Sequence, residues 1–418
     1  MNETDLRDRL TRAAASLLVR EPSMEQLVER GKRKRLVRQV TAGVTAIVVL
    51  TASSWALFSL RRLDPSKPAD SSLPAVTRFD MDGRPIRQVA VGYGAAWFTV
   101  QDAKTRNMAL ARIDETTGEV IRVAAAGQAG YVAVGAGSVW TATCANPDQE
   151  SCQTRIVRID PTTLEAIAEI PMEGPIWGMA FGAGSLWVMT RQYIEGLLIR
   201  VDPGLNRVVA KIGEWACCSA VAVCCSGVTV GEVAVWGLGS IGRRSGELTK
   251  LDPMTEDVTR LPSLRPRFRF GGHHLAVGQG VVWVAVDSQG GFPLGGSAVA
   301  KIDPATGMIT AVFNNVGPGR FVAGHGAMWM ARVGDRAGCV ELLHLSPSDA
   351  SIRVLGVVAM GEARYQFTGP FGPSIGVGLG GDTAWITIDQ TYEVIRVDLS
   401  ALGSEPVVDP ECRASPSN

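Results

Sequence analysis

Seven times along this chain a glycine stands five residues ahead of a tryptophan: Gly92/Trp97, Gly135/Trp140, Gly182/Trp187, Gly231/Trp236, Gly278/Trp283, Gly324/Trp329 and Gly380/Trp385. Seven of the ten tryptophans in the 418 residues occupy this one position. Val-Ala-Val-Gly occurs at both 89–92 and 132–135, and VAVGAGSVW and MAFGAGSLW are near copies around the second and third tryptophans. Successive tryptophans are 43, 47, 49, 47, 46 and 56 residues apart, which is the range of propeller blades and kelch-like units. A chain this long would overfill one ordinary core. Repetition removes the difficulty, because each unit packs only on its neighbours.

Each unit has a second half. A basic residue, an apolar residue and Asp end a short strand: Arg112-Ile113-Asp114, Arg158-Ile159-Asp160, Arg200-Val201-Asp202, Lys250-Leu251-Asp252, Lys301-Ile302-Asp303 and Arg396-Val397-Asp398. The sixth copy departs as His344-Leu345-Ser346. Pro follows in five of the seven, and the best copy continues as Asp303-Pro304-Ala305-Thr306-Gly307. This is turn chemistry: Asp accepts from turn N–H groups, Pro presets φ, and Gly takes the positive-φ position. We expect strand-end caps and cross-strand pairs here rather than a functional charged array. One unit then reads as four antiparallel strands (VAVG, VWTAT, IVRID, EAIAEI), and seven units predict an all-β, seven-bladed β-propeller over residues 75–400. A linear solenoid is the alternative. Against it, Val76-Thr77-Arg78-Phe79-Asp80 reads as a detached blade strand that would complete the last blade and fasten the ring.

The G-x-x-x-φ-W and R-φ-D-P-x-T-G repeats resemble those of the YVTN/YncE-like and virginiamycin B lyase-like propellers, over about residues 75–400. The resemblance implies a seven-bladed ring, and for the lyase a catalytic site built on a metal ion and a histidine. His273 and His274, just ahead of one blade's first strand, are the catalytic candidates it suggests, with a divalent metal as the cofactor of that alternative. No Glu stands near the pair at a spacing that suggests a matching ligand set, so the favoured reading has no cofactor, no metal site and no enzymatic activity.

Upstream, the composition changes. Residues 1–38 hold ten basic and six acidic residues, and the remainder 31 and 35, so a formally neutral chain hides a basic N-terminus. Residues 39–60 are uncharged and apolar, long enough as a helix, about 33 Å, to cross a bilayer core of about 30 Å. Lys32, Arg33, Lys34, Arg35 and Arg38 flank this stretch on its N-terminal side, which keeps the N-terminus in the cytoplasm. We expect a single-pass membrane helix, a linker at 61–74, and an extracytoplasmic propeller at the cell membrane. A cleaved signal peptide, with Ser54 and Ala56 at its site, fits less well, because its charged lead and apolar span would both be too long. The tail 1–38 reads as two short amphipathic helices, one with Leu6, Leu10, Ala14, Leu17 and Leu18 on a stripe. It would either dock a cytoplasmic partner, and so carry a signal, or rest on anionic headgroups; the second is favoured. Having neither His nor Cys, it is no zinc-binding module.

All eight cysteines follow the span, and an even number in an oxidising space reads as disulfides. Cys144 and Cys152 bracket a turn-rich loop and are expected to pair. Cys217, Cys218, Cys224 and Cys225 would cross-link the entry to the fourth blade, a zinc site being disfavoured because adjacent cysteines lack the usual chelating spacer. Cys339 and Cys412 would tie the C-terminal tail, residues 401–418, to blade six.

For binding, three loops stand out: 101–108, 240–246 with Arg243 and Arg244, and 261–274 with Arg265, Arg267 and Arg269 among two Phe and two His. Arginine with aromatics suits an anionic or glycan-like ligand. Neutral charge and 6% aromatics argue against nucleic acid. The sequence thus points to a membrane-anchored extracytoplasmic scaffold for an unknown ligand or protein, the alternative being a lyase-like enzyme near the His pair.

Overall fold

The Gly-x-Gly ahead of five of the seven repeat tryptophans is a two-residue hairpin. In Gly135-Ala136-Gly137 both central residues have positive φ, 50° at Ala136 and 68° at Gly137, the twist that matches right-handed strands. The same pair of angles recurs at Tyr93/Gly94, Ala183/Gly184, Gln279/Gly280 and His325/Gly326. The computed structural model describes residues 75–102, 108–123, 131–144, 154–192, 195–215, 228–230, 234–238, 248–261, 275–287, 297–314, 316–317, 319–334, 338–348, 351–360, 375–402 and 407–412. Among the described residues no helix is long and apolar enough to cross a membrane. The expected cytoplasmic tail, span and linker lie outside them.

The chain enters at β1 (Val76–Asp80). Blade one is β2 (Gly83–Gly92), β3 (Ala95–Asp102), β4 (Met108–Asp114) and β5 (Val120–Val123). Blade two is β6 (Val132–Gly135), β7 (Ser138–Cys144), β8 (Thr154–Ile159) and β9 (Ala166–Pro171). Blade three is β10 (Ile176–Gly182), β11 (Ser185–Gln192), β12 (Glu195–Asp202) and β13 (Arg207–Trp215). Blade four is β14 (Val228–Val230), β15 (Val235–Leu238), β16 (Leu248–Leu251) and β17 (Val258–Arg260). Blade five is β18 (Leu275–Gly278), β19 (Val281–Asp287), β20 (Ser297–Ile302) and β21 (Ile309–Phe313). Blade six is β22 (Gly319–Gly324), β23 (Ala327–Val333), β24 (Cys339–Leu345) and β25 (Ile352–Ala359). Blade seven is β26 (Ile375–Leu379), β27 (Thr383–Ile388) and β28 (Glu393–Asp398), with β1 paired antiparallel to β28 as its outer strand. The ring is therefore fastened by N-terminal sequence. A short β29 (Val407–Val408) adds in parallel to β25 on the outer edge of blade six.

A four-stranded blade cannot bury both faces alone, so the core lies between blades. Trp97 packs with Val132, Val139 and Ile159 of blade two, Trp140 with Met179, Leu186 and Ile199 of blade three, and Trp187 with Val235 and Leu251 of blade four. Trp236, Trp283 and Trp329 fill the next three seams. Trp385 packs with Phe98 and Ile113 of blade one, which closes the circle. Burial of each indole removes about 150–250 Å² from water, worth roughly 4–6 kcal/mol before entropy is counted.

The glycine five residues earlier has a tertiary reason. A Cβ on Gly135 would lie 2.0 Å from the Phe181 ring of the next blade, because the inner strands approach most closely near the axis. Its carbonyl then serves the tryptophan: Trp97, Trp140, Trp187 and Trp329 donate Nε1–H to the oxygens of Gly92, Gly135, Gly182 and Gly324 at 3.0–3.1 Å. Trp385 departs and donates to Thr383 Oγ1 at 3.1 Å.

Candidate functional site

The up-and-down order of each blade gives the ring two unlike ends. The first-to-second hairpins and third-to-fourth turns share one end, the turn face. The second-to-third connections and the crossings to the next blade share the other, the loop face.

On the turn face the strand-end carboxylates are already spent. Asp160 Oδ1 accepts from the amides of Thr162 at 2.7 Å and Thr163 at 3.0 Å, and Thr163 Oγ1 accepts from Glu165 N. Asp114, Asp252 and Asp303 make the same set. These amides hold the Asp160 carboxyl below its ordinary pKa, Thr163 contributing most and Thr162 next. The caps expected from sequence are therefore present.

The basic residues behave differently from the cross-strand pairs expected of them. Arg112, Arg158, Arg200 and Lys250 lie over the tryptophans of their own blades, 5.1–5.8 Å from the ring centres. Arg112 pairs with Asp114 of its own strand at 3.1 Å, whereas the heads of the other three reach the next blade's turn. Arg158 donates to the Pro203 oxygen and, at 2.8 Å, to Asn206 Oδ1; Arg200 pairs with Glu256 at 3.2 Å; Lys250 donates to the Pro304 oxygen at 3.4 Å. Stacking on an indole leaves the charged head at the blade's surface, where Arg158 and Lys250 meet a proline carbonyl across the seam and Arg200 a carboxylate. His344 keeps the ring contact of this pattern, edge-on to Trp329 at 5.0 Å.

The expected ligand residues fall outside the described residues: Arg243, Arg244, Arg265, Arg267, Arg269, His273 and His274. So do Cys152, Cys217, Cys218, Cys224 and Cys225; Cys144 ends β7, and its side chain is likewise outside. What is described is where the arginine segments attach. Segment 239–247 joins β15 to β16, and segment 262–274 runs from Leu261 to β18. Leu261 N donates to Leu248 O at 2.9 Å, so one segment ends beside the start of the other.

Sequence reasoning did not single out Gln88, on the innermost strand of blade one. A shift of register between Ile86 and Val89 frees its side chain from the ladder. Its Nε2 donates to Met179 O at 3.3 Å and its Oε1 accepts from Val132 N at 3.4 Å, so one amide joins the inner strands of three blades. Elsewhere, an open groove of about 300 Å³ between blades two and three is lined by Ile170, Met172, Ile199 and Val208 and edged by the Lys211–Glu173 ion pair at 2.9 Å. None of the expected site residues lines it. Among the described residues no three His, Cys, Asp or Glu side chains converge as a metal site.

No family model and no curated protein matches the chain. Solved structures match its fold. A chain of the mitotic checkpoint complex superposes with a TM-score of 0.53 at 8% identity, covering 80% of this chain and 97% of that one. The β-propeller domain of the trilobed protease from Pyrococcus furiosus does so with a TM-score of 0.51 at 10% identity, covering 75% and 96%. The chain is a seven-bladed β-propeller. The Pyrococcus domain is described as having an open Velcro topology, whereas here β1 closes the last blade.

Proposed function

We propose that this chain is a membrane-tethered binding module whose propeller holds an anionic ligand at the loop face, outside the cytoplasm. The observation that carries the reading is the 2.9 Å hydrogen bond from Leu261 N to Leu248 O. It joins the residue that follows the Arg243 and Arg244 segment to the one that precedes Arg265, Arg267 and Arg269. Guanidinium groups on two segments that leave the fold from neighbouring residues suit a sulfated, phosphorylated or carboxylated ligand, since each offers forked donors to a planar or tetrahedral anion. The turn face supports the reading by contrast: its carboxylates and cations already serve its own turns and seams.

The basic flank and apolar stretch at 39–60 supply the tether, which puts the ring on the far side of the cell membrane and leaves the tail 1–38 for a cytoplasmic partner or lipid headgroups. The repeat motifs align the chain with YVTN/YncE-like and virginiamycin B lyase-like propellers. The fold supports a scaffold role, with a protein as the other class of ligand.

The test is binding of a sulfated oligosaccharide to the full chain in detergent across a salt series. Arg265→Ala/Arg267→Ala/Arg269→Ala should weaken binding by about 100-fold and flatten its salt dependence, while His273→Ala/His274→Ala should leave it unchanged. Wild-type affinity in the arginine variant would end the proposal.

A further inference from the structure

Past blade seven the chain passes through a short 3-10 turn at Leu399–Ala401 and reaches blade six again at β29. Among the described residues, Val407 and Val408 pair with β25, opposite Gly356 and Val357. Two strand residues are a marginal attachment by themselves. A disulfide from Cys412 to Cys339, at the start of β24 and 73 residues earlier, makes the attachment covalent. Both cysteines are buried with Ala359, and Val357 and Val408 pack against them.

Asp409 sits between β29 and the disulfide. Its amide donates to Val357 O and its carbonyl accepts from Cys412 N, both at 2.8 Å. One carboxylate oxygen accepts from Glu411 N at 3.2 Å. The other pairs with Arg78, which stands at the middle of β1 opposite Ile395 of β28. A segment bonded covalently to blade six therefore grips the strand that closes blade seven.

We propose that the C-terminal tail is a disulfide-locked strap on ring closure. With the Cys339–Cys412 bond formed, Asp409 is held against Arg78 and β1 stays on β28. With the bond reduced, the two-residue pairing frays, the local concentration of Asp409 near Arg78 falls, and β1 opens more often. A dithiol supplies the two electrons. One of its thiolates attacks a sulfur of the bridge, the other cysteine sulfur leaves and takes a proton, and the second reductant thiolate resolves the mixed disulfide. Cys339 and Cys412 end as thiols and the reductant as its cyclic disulfide. Because both cysteines are buried, attack follows opening of the tail, and the coupling runs both ways: loosening β1 speeds reduction.

The experiment follows amide hydrogen exchange in the full chain, oxidised and reduced with dithiothreitol. Reduction should raise exchange in β1 about tenfold and leave β19 unchanged. Asp409→Ala, which keeps both cysteines, should open β1 with the bond intact, and Arg78→Ala should speed reduction about fivefold. Faster exchange confined to 407–412 on reduction, or β1 unchanged in Asp409→Ala, overturns the proposal. So does a uniform rise across all blades, because the bridge then serves global stability alone.

Discussion

Lys301, on the third strand of blade five, donates its ammonium to the carbonyl oxygen of Pro347 in the turn of blade six, 2.6 Å away. At Arg158, Arg200, Lys250 and Lys301 the basic position of the repeat is thus a clasp between neighbours. Lys301→Met keeps the aliphatic stem and removes the head. It should lower stability by about 1.5–3 kcal/mol in urea unfolding, the range for hydrogen bonds to charged groups. A change near zero would mean that solvent already satisfies Pro347.

Gly135 is expected to tolerate no side chain. Alanine there puts its Cβ 2.0 Å from the Phe181 ring and should cost about 1–3 kcal/mol or more, as overpacked cores do. Phe181→Leu in the same chain should recover part of the loss. If the double variant is no better than Gly135→Ala, ring contact is not the cause.

Trp140→Phe separates packing from hydrogen bonding. The benzene ring retains part of the seam between blades two and three but leaves the Gly135 carbonyl without its 3.0 Å donor. We expect a loss of about 1–3 kcal/mol, against about 3–5 kcal/mol for Trp140→Ala, read from thermal or urea unfolding.

Acid should weaken the turn face. Burial raises the Asp114 carboxyl, but the Thr117 and Thr116 amides and Arg112 outweigh it and hold the group below its ordinary pKa. Asp398 is likewise raised by burial and held low by the Ser400 hydroxyl and amide and by Arg396. A carboxyl whose folded pKa lies below its unfolded value adds stability that is complete above about pH 4 and lost as pH falls through the folded value. Melting temperature should therefore be flat from neutral pH to about pH 5 and fall below about pH 4, less steeply in Asp114→Asn. A melting temperature that rises on acidification would sink this account.

Removing the bridge with Cys412→Ser opens a loop of 73 residues and should cost about 4 kcal/mol on chain-entropy grounds. The measurement is urea unfolding of the oxidised wild type against the variant. A loss under about 1 kcal/mol would show that the reduced chain keeps the tail in place.

The blade was legible in the sequence because its chemistry is local. Glycine turns, Asp caps and strand alternation act within a few residues, so seven copies of the Gly-to-Trp spacing announced seven blades. Val76–Asp80 was readable as a spare strand, and Cys339 with Cys412 as the last pair standing. The direction of the clasps was not readable. Arg158, Lys250 and Lys301 end on backbone oxygens of Pro203, Pro304 and Pro347, some 45 to 54 residues on, and a main-chain acceptor leaves no mark in side-chain identity. Gln88 looked like any polar residue in a strand until a local slip of register turned it across three inner strands. Arg78 and Asp409 are 331 positions apart, and neither belongs to the repeat. The arginines and histidines of the expected ligand site stand in segments outside the repeat pattern, where no periodicity speaks for them. Sequence by itself determined the unit and the number of units, since hydrogen bonds between near neighbours encode both. Tertiary structure alone decided how one unit grips the next and how the ends lock, because those bonds form between residues that only closure of the ring brings together.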